Sequence, residues 1–106
     1  MNSERWHKMP FCEQMGNIGS EFSRTLNRMK RGDKKSEQMS LDRLLELIDS
    51  TIDDKRWRGR TRELFRLREV ICDYFVGDNI YNTLPETLRN YFIPFSIKAL
   101  KDKNYV

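Results

Sequence analysis

The stretch with the clearest chemical character is residues 55–68, KRWRGRTRELFRLR, which holds seven Lys or Arg residues, one acid and a Trp. Arginine carries a planar guanidinium that binds a phosphate or a carboxylate through two parallel hydrogen bonds. A Trp among such cations can stack on a nucleic-acid base or on a guanidinium plane. The pattern therefore favours a surface that binds RNA, DNA, a nucleoprotein or an acidic protein.

Two groups of side chains make up this predicted surface. The first lies in the stretch itself, which we expect to run from a turn into a helix. The second is a set of arginines spaced four and three residues apart on the first predicted helix. The candidate binding residues are Lys55, Arg56, Trp57, Arg58, Arg60, Arg62 and Arg66 in the first group, and Arg24, Arg28 and Arg31 in the second.

A structural role is the alternative for many of these residues. Residues 41–54 hold five acids and one Arg, so the formal charge changes from −4 to +6 within 28 residues. An antiparallel hairpin would set the acidic face of residues 41–54 beside the arginines of the first helix, in exposed pairs worth roughly a few tenths of a kcal/mol each. Trp57 would then close the end of the core. The acids of that face are Asp42, Glu46, Asp49 and Asp53.

Residues that could support catalysis or bind a metal are scarce. His7 is the only histidine, and we expect the N-terminal segment that carries it to be mobile. The acidic face lacks the Glu-x-x-His pairs that helical di-metal sites add. The chain has no HExxH, no glycine-rich phosphate loop and no GxSxG. We therefore predict a non-enzymatic protein without a cofactor or metal.

The segment GNIGSE, residues 16–21, favours close helix packing over phosphate binding, because no strand precedes its two glycines. Gly16, Gly19, Ser20 and Ser23 are small residues at helical spacing, so a second helix could approach there.

Apolar residues at spacings of three and four predict four helices and no strand, hence an all-α fold. Short connections favour antiparallel neighbours, so we expect a small four-helix bundle or a pair of antiparallel helical hairpins. The first helix should run from about Pro10 to Arg31. The second should follow an Asp33 N-cap and end near Asp53, and the third should begin between Gly59 and Arg62 and end at Gly77. The fourth should start at Thr83–Glu86, with its cap at Thr83 or one residue later, and Pro94 should kink or end it.

A chain of 106 residues with 38% hydrophobic residues and a net charge of +4 suits one domain with a modest core. We assign residues 10–101 to that domain, 1–9 to an N-terminal segment and 102–106 to a polar tail. No secretory signal or membrane-length apolar run is present. We therefore expect a cytoplasmic protein without a membrane partner, with Cys12 and Cys72 reduced.

Three segments carry a resemblance: EQMGNIGSEFSRTL, RGDKKSEQMSLDRLLELIDSTIDD and RELFRLREVICDYF. Together with Trp6, this pattern resembles a family of small bacterial helical proteins of unassigned function, over about residues 6–95. The resemblance implies a stand-alone bacterial protein and supplies no site residues.

A protein-interaction module, antitoxin-like or inhibitor-like, or a homo-oligomer is the alternative function. Its contacts would be apolar and would come from Trp6, Met9 and Phe11, or from the loop at Ile80–Tyr81. The remaining aromatic residues of the C-terminal half are typical of a core, and any that are exposed would form a protein-binding patch.

Overall fold

Helical spacing of apolar residues produces helices throughout residues 3–104, the part of the chain that the structure, a computed structural model, describes. No residue in this range lies in a strand, so the predicted all-α fold class is confirmed. The α-helices are α1 (Ser3–Trp6), α2 (Phe11–Lys30), α3 (Lys34–Ile52), α4 (Thr61–Phe75) and α5 (Pro85–Asn104), and a 3-10 helix (Lys55–Arg60) joins α3 to α4.

α2 is the central helix of the bundle, with α3 and α5 packed antiparallel against it. Arg28, near the end of α2, donates to Ser40 near the start of α3, whereas Gln14, near the start of α2, donates to Asp54 just beyond α3. Gly16 of α2 faces Ser96 of α5. α4 packs mainly against α3, so the predicted bundle of antiparallel helices is confirmed.

The turn between α2 and α3 follows the predicted residues. Gly32 has φ +74°, a left-handed conformation that glycine adopts without a steric penalty after a helix. Asp33 is the N-cap of α3, and its Oδ1 accepts a hydrogen bond from the Ser36 N–H at 3.1 Å. This tight turn fixes the antiparallel pairing of α2 and α3.

The core is one apolar cluster to which all five α-helices contribute. α2 to α5 do so through the stripe that their spacing places on one side, and α1 contributes Trp6. The aromatic residues of the C-terminal half largely pack in or against it, as expected. Its buried members are Trp6, Phe11, Met15, Ile18, Phe22, Leu26, Leu41, Leu44, Ile48, Leu64, Leu67, Ile71, Leu88 and Phe92.

The small residues of α2 admit a neighbouring helix, as predicted. A Cβ added to Gly19 would lie 2.7 Å from the Cβ of Phe92, and one added to Gly16 would lie 3.2 Å from the Oγ of Ser96. Real carbon atoms rarely approach to 2.7 Å, so Gly19 sets how closely α5 approaches α2.

The described part of the N-terminal segment packs against the helical domain, and the prediction that His7 lies in a mobile segment is wrong. Trp6 is 4% exposed, and its Nε1 donates to the Thr51 hydroxyl at 3.0 Å. His7 Nε2 lies 2.9 Å from the carbonyl oxygen of Ser50. Burying a large indole against α3 stabilises this attachment, and the indole N–H keeps a hydrogen-bond partner.

α5 begins at Pro85, the later of the two predicted positions, and continues through Pro94 to Asn104. The expectation that Pro94 ends the helix is wrong, whereas the alternative that it kinks the helix stays a prediction. Pro94 and Asn90, four residues earlier, are both exposed, so water can reach the Asn90 carbonyl that loses its helical donor. The predicted tail is therefore helical up to Asn104, and residues 105 and 106 lie outside the described residues. No helix within 3–104 is long and apolar enough to cross a membrane.

Candidate nucleic-acid interface

Asp54 organises the corner between α3 and α4. It is 4% exposed and is the N-cap of the 3-10 helix, accepting a hydrogen bond from the Arg56 N–H at 3.1 Å. Its two carboxylate oxygens also accept from the Arg56 guanidinium, from Nε at 3.0 Å and from Nη2 at 2.6 Å. The same Nη2 donates to the Met9 carbonyl oxygen at 2.8 Å. Arg56 is therefore held by the protein's own groups, and its assignment to the binding surface is not supported.

Asp54 and Arg56 shift each other's pKa. The hydrogen bonds from Arg56 and Gln14 outweigh burial and lower the pKa of Asp54 to about 2. The same contact raises the pKa of the Arg56 guanidinium. Both groups are charged at neutral pH, so the corner depends on an ion pair whose carboxylate is buried and whose guanidinium is 39% exposed.

Trp57 closes the end of the core, as the structural alternative predicted. Its Nε1 donates to Gln14 Oε1 at 2.7 Å, and its ring meets the Phe11 ring edge-on at a centroid distance of 5.2 Å. The Arg56 guanidinium lies over the Trp57 ring, 4.5 Å from its centroid. The ring is thus engaged within the protein and is a poor platform for a base.

Arg60 is also partly engaged. Its guanidinium carbon lies 4.4 Å from the centroid of the Phe11 ring, and its Nη1 lies 3.5 Å from Glu63. About half of its side chain is exposed. We assign it to the rim of the corner, where it shields Phe11 from water.

The arginines of α2 divide between structure and solvent. Arg24 pairs with Glu21 on its own helix, and Arg28 donates to the Ser40 hydroxyl at 2.8 Å. Glu21 is buried and also accepts a hydrogen bond from Ser40. Arg24 and Arg28 therefore satisfy polar groups at the α2–α3 contact, whereas Arg31, at the C-cap of α2, is exposed.

Asp49 and Asp42, two residues of the acidic face of α3, bond to groups other than the arginines of α2, which corrects the predicted stripe-to-stripe pairing for these two acids. Asp49 Oδ1 accepts from Arg68 Nε at 2.7 Å, and this contact raises the pKa of Arg68. Asp42 accepts from Gln38 within its own helix. Among residues 3–104 no cluster of three or more His, Cys, Asp or Glu side chains is placed to hold a metal ion.

The cations that remain available lie along the 3-10 helix and the outer side of α4. Lys55, Arg58 and Arg62 are exposed, and no hydrogen-bond or ion-pair partner reaches these side chains or that of Arg31 from within residues 3–104. Arg66, one turn after Arg62, is exposed as well, and its guanidinium carbon lies 4.7 Å from the Tyr81 ring centroid. Tyr81 in turn donates to Glu69 at 3.1 Å.

Phe65 stands between these two arginines and is 55% exposed. We call Arg58, Arg62, Phe65 and Arg66 the arginine face. The sequence contained a signal for Phe65, because the buried stripe of Leu64, Leu67 and Ile71 leaves position 65 on the opposite side of α4. Trp57, and not Phe65, was the aromatic residue predicted for the surface.

Three residues of the arginine face line a shallow groove between α3 and α4, with a volume of about 850 Å³. Its acids are Asp49, which is paired with Arg68, and Glu69, which is bonded to Tyr81. The groove thus presents the guanidinium groups of Arg62 and Arg66 beside the Asp49–Arg68 pair and the Glu69 carboxylate, which is bonded to Tyr81. Its lining comprises Asp49, Thr61, Arg62, Phe65, Arg66, Arg68, Glu69 and Cys72.

A second groove lies between α4 and the start of α5, with a volume of about 480 Å³ and a mostly apolar wall. At its edge the Tyr91 hydroxyl donates to Glu63, and burial together with this hydrogen bond raises the pKa of Tyr91. Leu84, 62% exposed, and Tyr81 form the loop side.

The residues proposed for an apolar protein contact have two different environments. Trp6 and Phe11 are buried, so that part of the alternative is wrong. Ile80 is 73% exposed on a loop that Asp73 holds by accepting hydrogen bonds from the N–H groups of Ile80 and Tyr81, at 2.9 and 3.1 Å. This loop is the part of the alternative that the geometry leaves open.

Comparison with known proteins gives no further assignment. No family model matches the chain, and no curated protein and no solved structure matches it significantly. The resemblance to a bacterial family therefore stays a prediction, and only the geometry of the described residues bears on the candidate site.

Proposed function

We propose that this protein is a non-enzymatic binding or accessory protein that engages a nucleic acid or nucleoprotein through the arginine face. The observation that carries the proposal is the contrast between two sets of arginines. Arg24, Arg28, Arg56 and Arg68 bind the protein's own acceptors. Within the described residues 3–104, no acidic side chain pairs with Arg58 or Arg62, although acids are plentiful in the chain.

The distribution of charge suits a phosphate backbone. Arg62 and Arg66 lie one helical turn apart, and Arg58 lies in the 3-10 helix immediately before α4. Exposed guanidinium groups bind phosphate oxygens through paired hydrogen bonds and release counterions from the nucleic acid when they do so. Lys55 and Arg31 lie outside the arginine face, and no ion pair within residues 3–104 neutralises their charge. This positive charge would attract the nucleic acid toward the protein. A bacterial, cytoplasmic setting is part of the proposal and agrees with two free cysteines.

The test is a comparison of two triple variants of equal charge. We expect Arg58→Ala/Arg62→Ala/Arg66→Ala to weaken binding to a labelled oligonucleotide. The slope of log K against log salt concentration should fall by about 2 to 3, since each phosphate contact contributes about 0.7 to 0.9. The matched control is Lys30→Ala/Lys34→Ala/Lys35→Ala. It removes three exposed cations beside the α2–α3 turn, which lies at the opposite end of α3 from the 3-10 helix.

Both variants carry a formal net charge of +1, so a general effect of charge would change them equally. Equal slopes in the two variants, or no binding by the unchanged protein at low salt, would refute the proposal. A dimer that persists at high salt and is lost on Ile80→Ser would favour the alternative of a protein-interaction module.

A further inference from the structure

Phe65 is an exposed ring in the middle of a helix, placed at the edge of the α3–α4 groove. Its neighbours Leu64 and Leu67 are 0% and 6% exposed, whereas Phe65 is 55% exposed. α4 therefore buries a complete apolar stripe without this ring. The ring adds little to the core. Its position beside Arg62 and Arg66 in the groove wall is typical of a residue that binds a ligand.

Arg66 is held by an aromatic contact within the protein. Its guanidinium lies over the Tyr81 ring, and Tyr81 is held by Glu69 through its hydroxyl and by Asp73 through its backbone N–H. A cation fixed in this way loses less freedom on binding than a solvated side chain does. The groove thus has a fixed cation, Arg66, and an unpaired cation, Arg62, on the same helical face as Phe65.

An aromatic ring and flanking guanidinium groups match the two parts of an unpaired nucleotide. Every base, whatever its identity, offers a π-face that stacks on a side-chain ring. The phosphate accepts hydrogen bonds from arginine. In a duplex both faces of each internal base are covered by its neighbours. A ring at the edge of a shallow groove can therefore stack on an unpaired base but not on an internal base of a duplex.

We propose that the ligand of the arginine face is a single-stranded nucleic acid, with one base stacked on Phe65 and the adjacent phosphates bound by Arg62 and Arg66. This inference rests on the proposed function and narrows its ligand to unpaired strands. RNA and DNA share this chemistry, so both are tested.

The experiment measures binding of dye-labelled mixed-sequence 12-nucleotide RNA and DNA strands, and of the corresponding duplexes, by anisotropy at several salt concentrations. The unchanged protein should bind at least one of the single strands about tenfold or more tightly than its duplex. Phe65→Leu keeps an apolar side chain but removes the ring, and it should lower single-strand affinity by about 5- to 150-fold. Phe65→Trp should restore that affinity. The salt slope should stay unchanged in both variants, because neither removes a phosphate contact.

Four results would overturn the inference. Equal affinity for single strands and duplexes, or unchanged single-strand binding by Phe65→Leu, would refute it and leave the proposed function standing. Absence of binding to any oligonucleotide would refute both. If Phe65→Leu instead abolishes self-association, measured by sedimentation of the same samples, the ring serves a protein contact and the inference is wrong. Thermal unfolding of the two variants checks that each remains folded.

Discussion

Arg56 and Arg58 are two residues apart in the same basic run, yet they have opposite roles. Arg56 is held by a buried carboxylate and a backbone carbonyl, whereas Arg58 extends into solvent. The sequence indicated a cationic surface but could not distinguish these two residues. The distinction depends on the 3-10 helix. Asp54, its N-cap, directs its carboxylate toward the guanidinium of Arg56, two residues later in the chain.

The Asp54–Arg56 pair predicts how stability depends on pH. Asp54 has a pKa of about 2 when folded, against 3.8 for an ordinary Asp, so the ionised form is favoured by folding. The stability that it contributes is fully present above about pH 4 and is lost as the pH falls through 2. The expected loss is about 2 kcal/mol.

Urea unfolding at pH 2 to 5, followed by helical circular dichroism, measures this loss. Asp54→Asn should be less stable at pH 7 by about 2 to 4 kcal/mol, and its stability should fall less between pH 4 and 2. The control Asp53→Asn changes an exposed neighbouring carboxylate and should keep the pH dependence of the unchanged protein. An identical pH dependence in Asp54→Asn would contradict the assignment.

At the scale of helices, α2 packs against two neighbours, α3 and α5. Its larger apolar residues form the core, and its small residues face α5. Periodicity was sufficient to predict α2 to α5 because each buries one stripe. It failed at Pro94, because the tolerance of a proline inside a helix depends on whether water reaches the freed carbonyl, and that is decided by tertiary packing.

Gly19→Ala tests the α2–α5 approach. Alanine favours a helix over glycine by about 1 kcal/mol, but the added methyl would overlap the buried Phe92 at a cost of about 1 to 3 kcal/mol. We expect a net destabilisation of about 1 to 2 kcal/mol, measured by urea unfolding.

The control for this contact is Gly16→Ala. Its methyl would lie 3.2 Å from the rotatable Ser96 hydroxyl and at ordinary contact distance, 3.6 Å, from the Ser96 Cα, so we expect a change within about 0.5 kcal/mol or a slight stabilisation. If Gly19→Ala is as stable as Gly16→Ala, the two helices are free to separate and the close approach is not a constraint.

At the scale of the whole molecule, Gln14 joins three parts of the chain. Its amide nitrogen donates to the Trp6 carbonyl oxygen at 2.8 Å and to Asp54 at 3.2 Å, and its amide oxygen accepts from Trp57. The N-terminal segment, α2 and the 3-10 helix therefore meet at one buried amide. Sequence patterns could not predict this, because a four-residue helix has no periodicity to read and its attachment is entirely tertiary.

Replacing Gln14 by Met keeps the shape of the side chain but leaves buried polar atoms of Trp6 and Asp54 with fewer partners. We expect a loss of about 2 to 4 kcal/mol in the free energy of unfolding. Gln38→Met, on the exposed side of α3, is the matched control and should change stability by less than about 0.5 kcal/mol. A similar, small effect of both substitutions would show that the three parts are held together by apolar contacts alone.

The meeting of both tryptophans at Gln14 also gives the molecule a built-in optical probe. Trp6 and Trp57 are the only tryptophans of the chain, and both bond to the Gln14 amide, Trp6 through its backbone carbonyl and Trp57 through its indole N–H. Intrinsic emission excited at the indole band will therefore report the environment of one end of the bundle. A red shift that precedes the loss of helical signal would reveal that this end opens first.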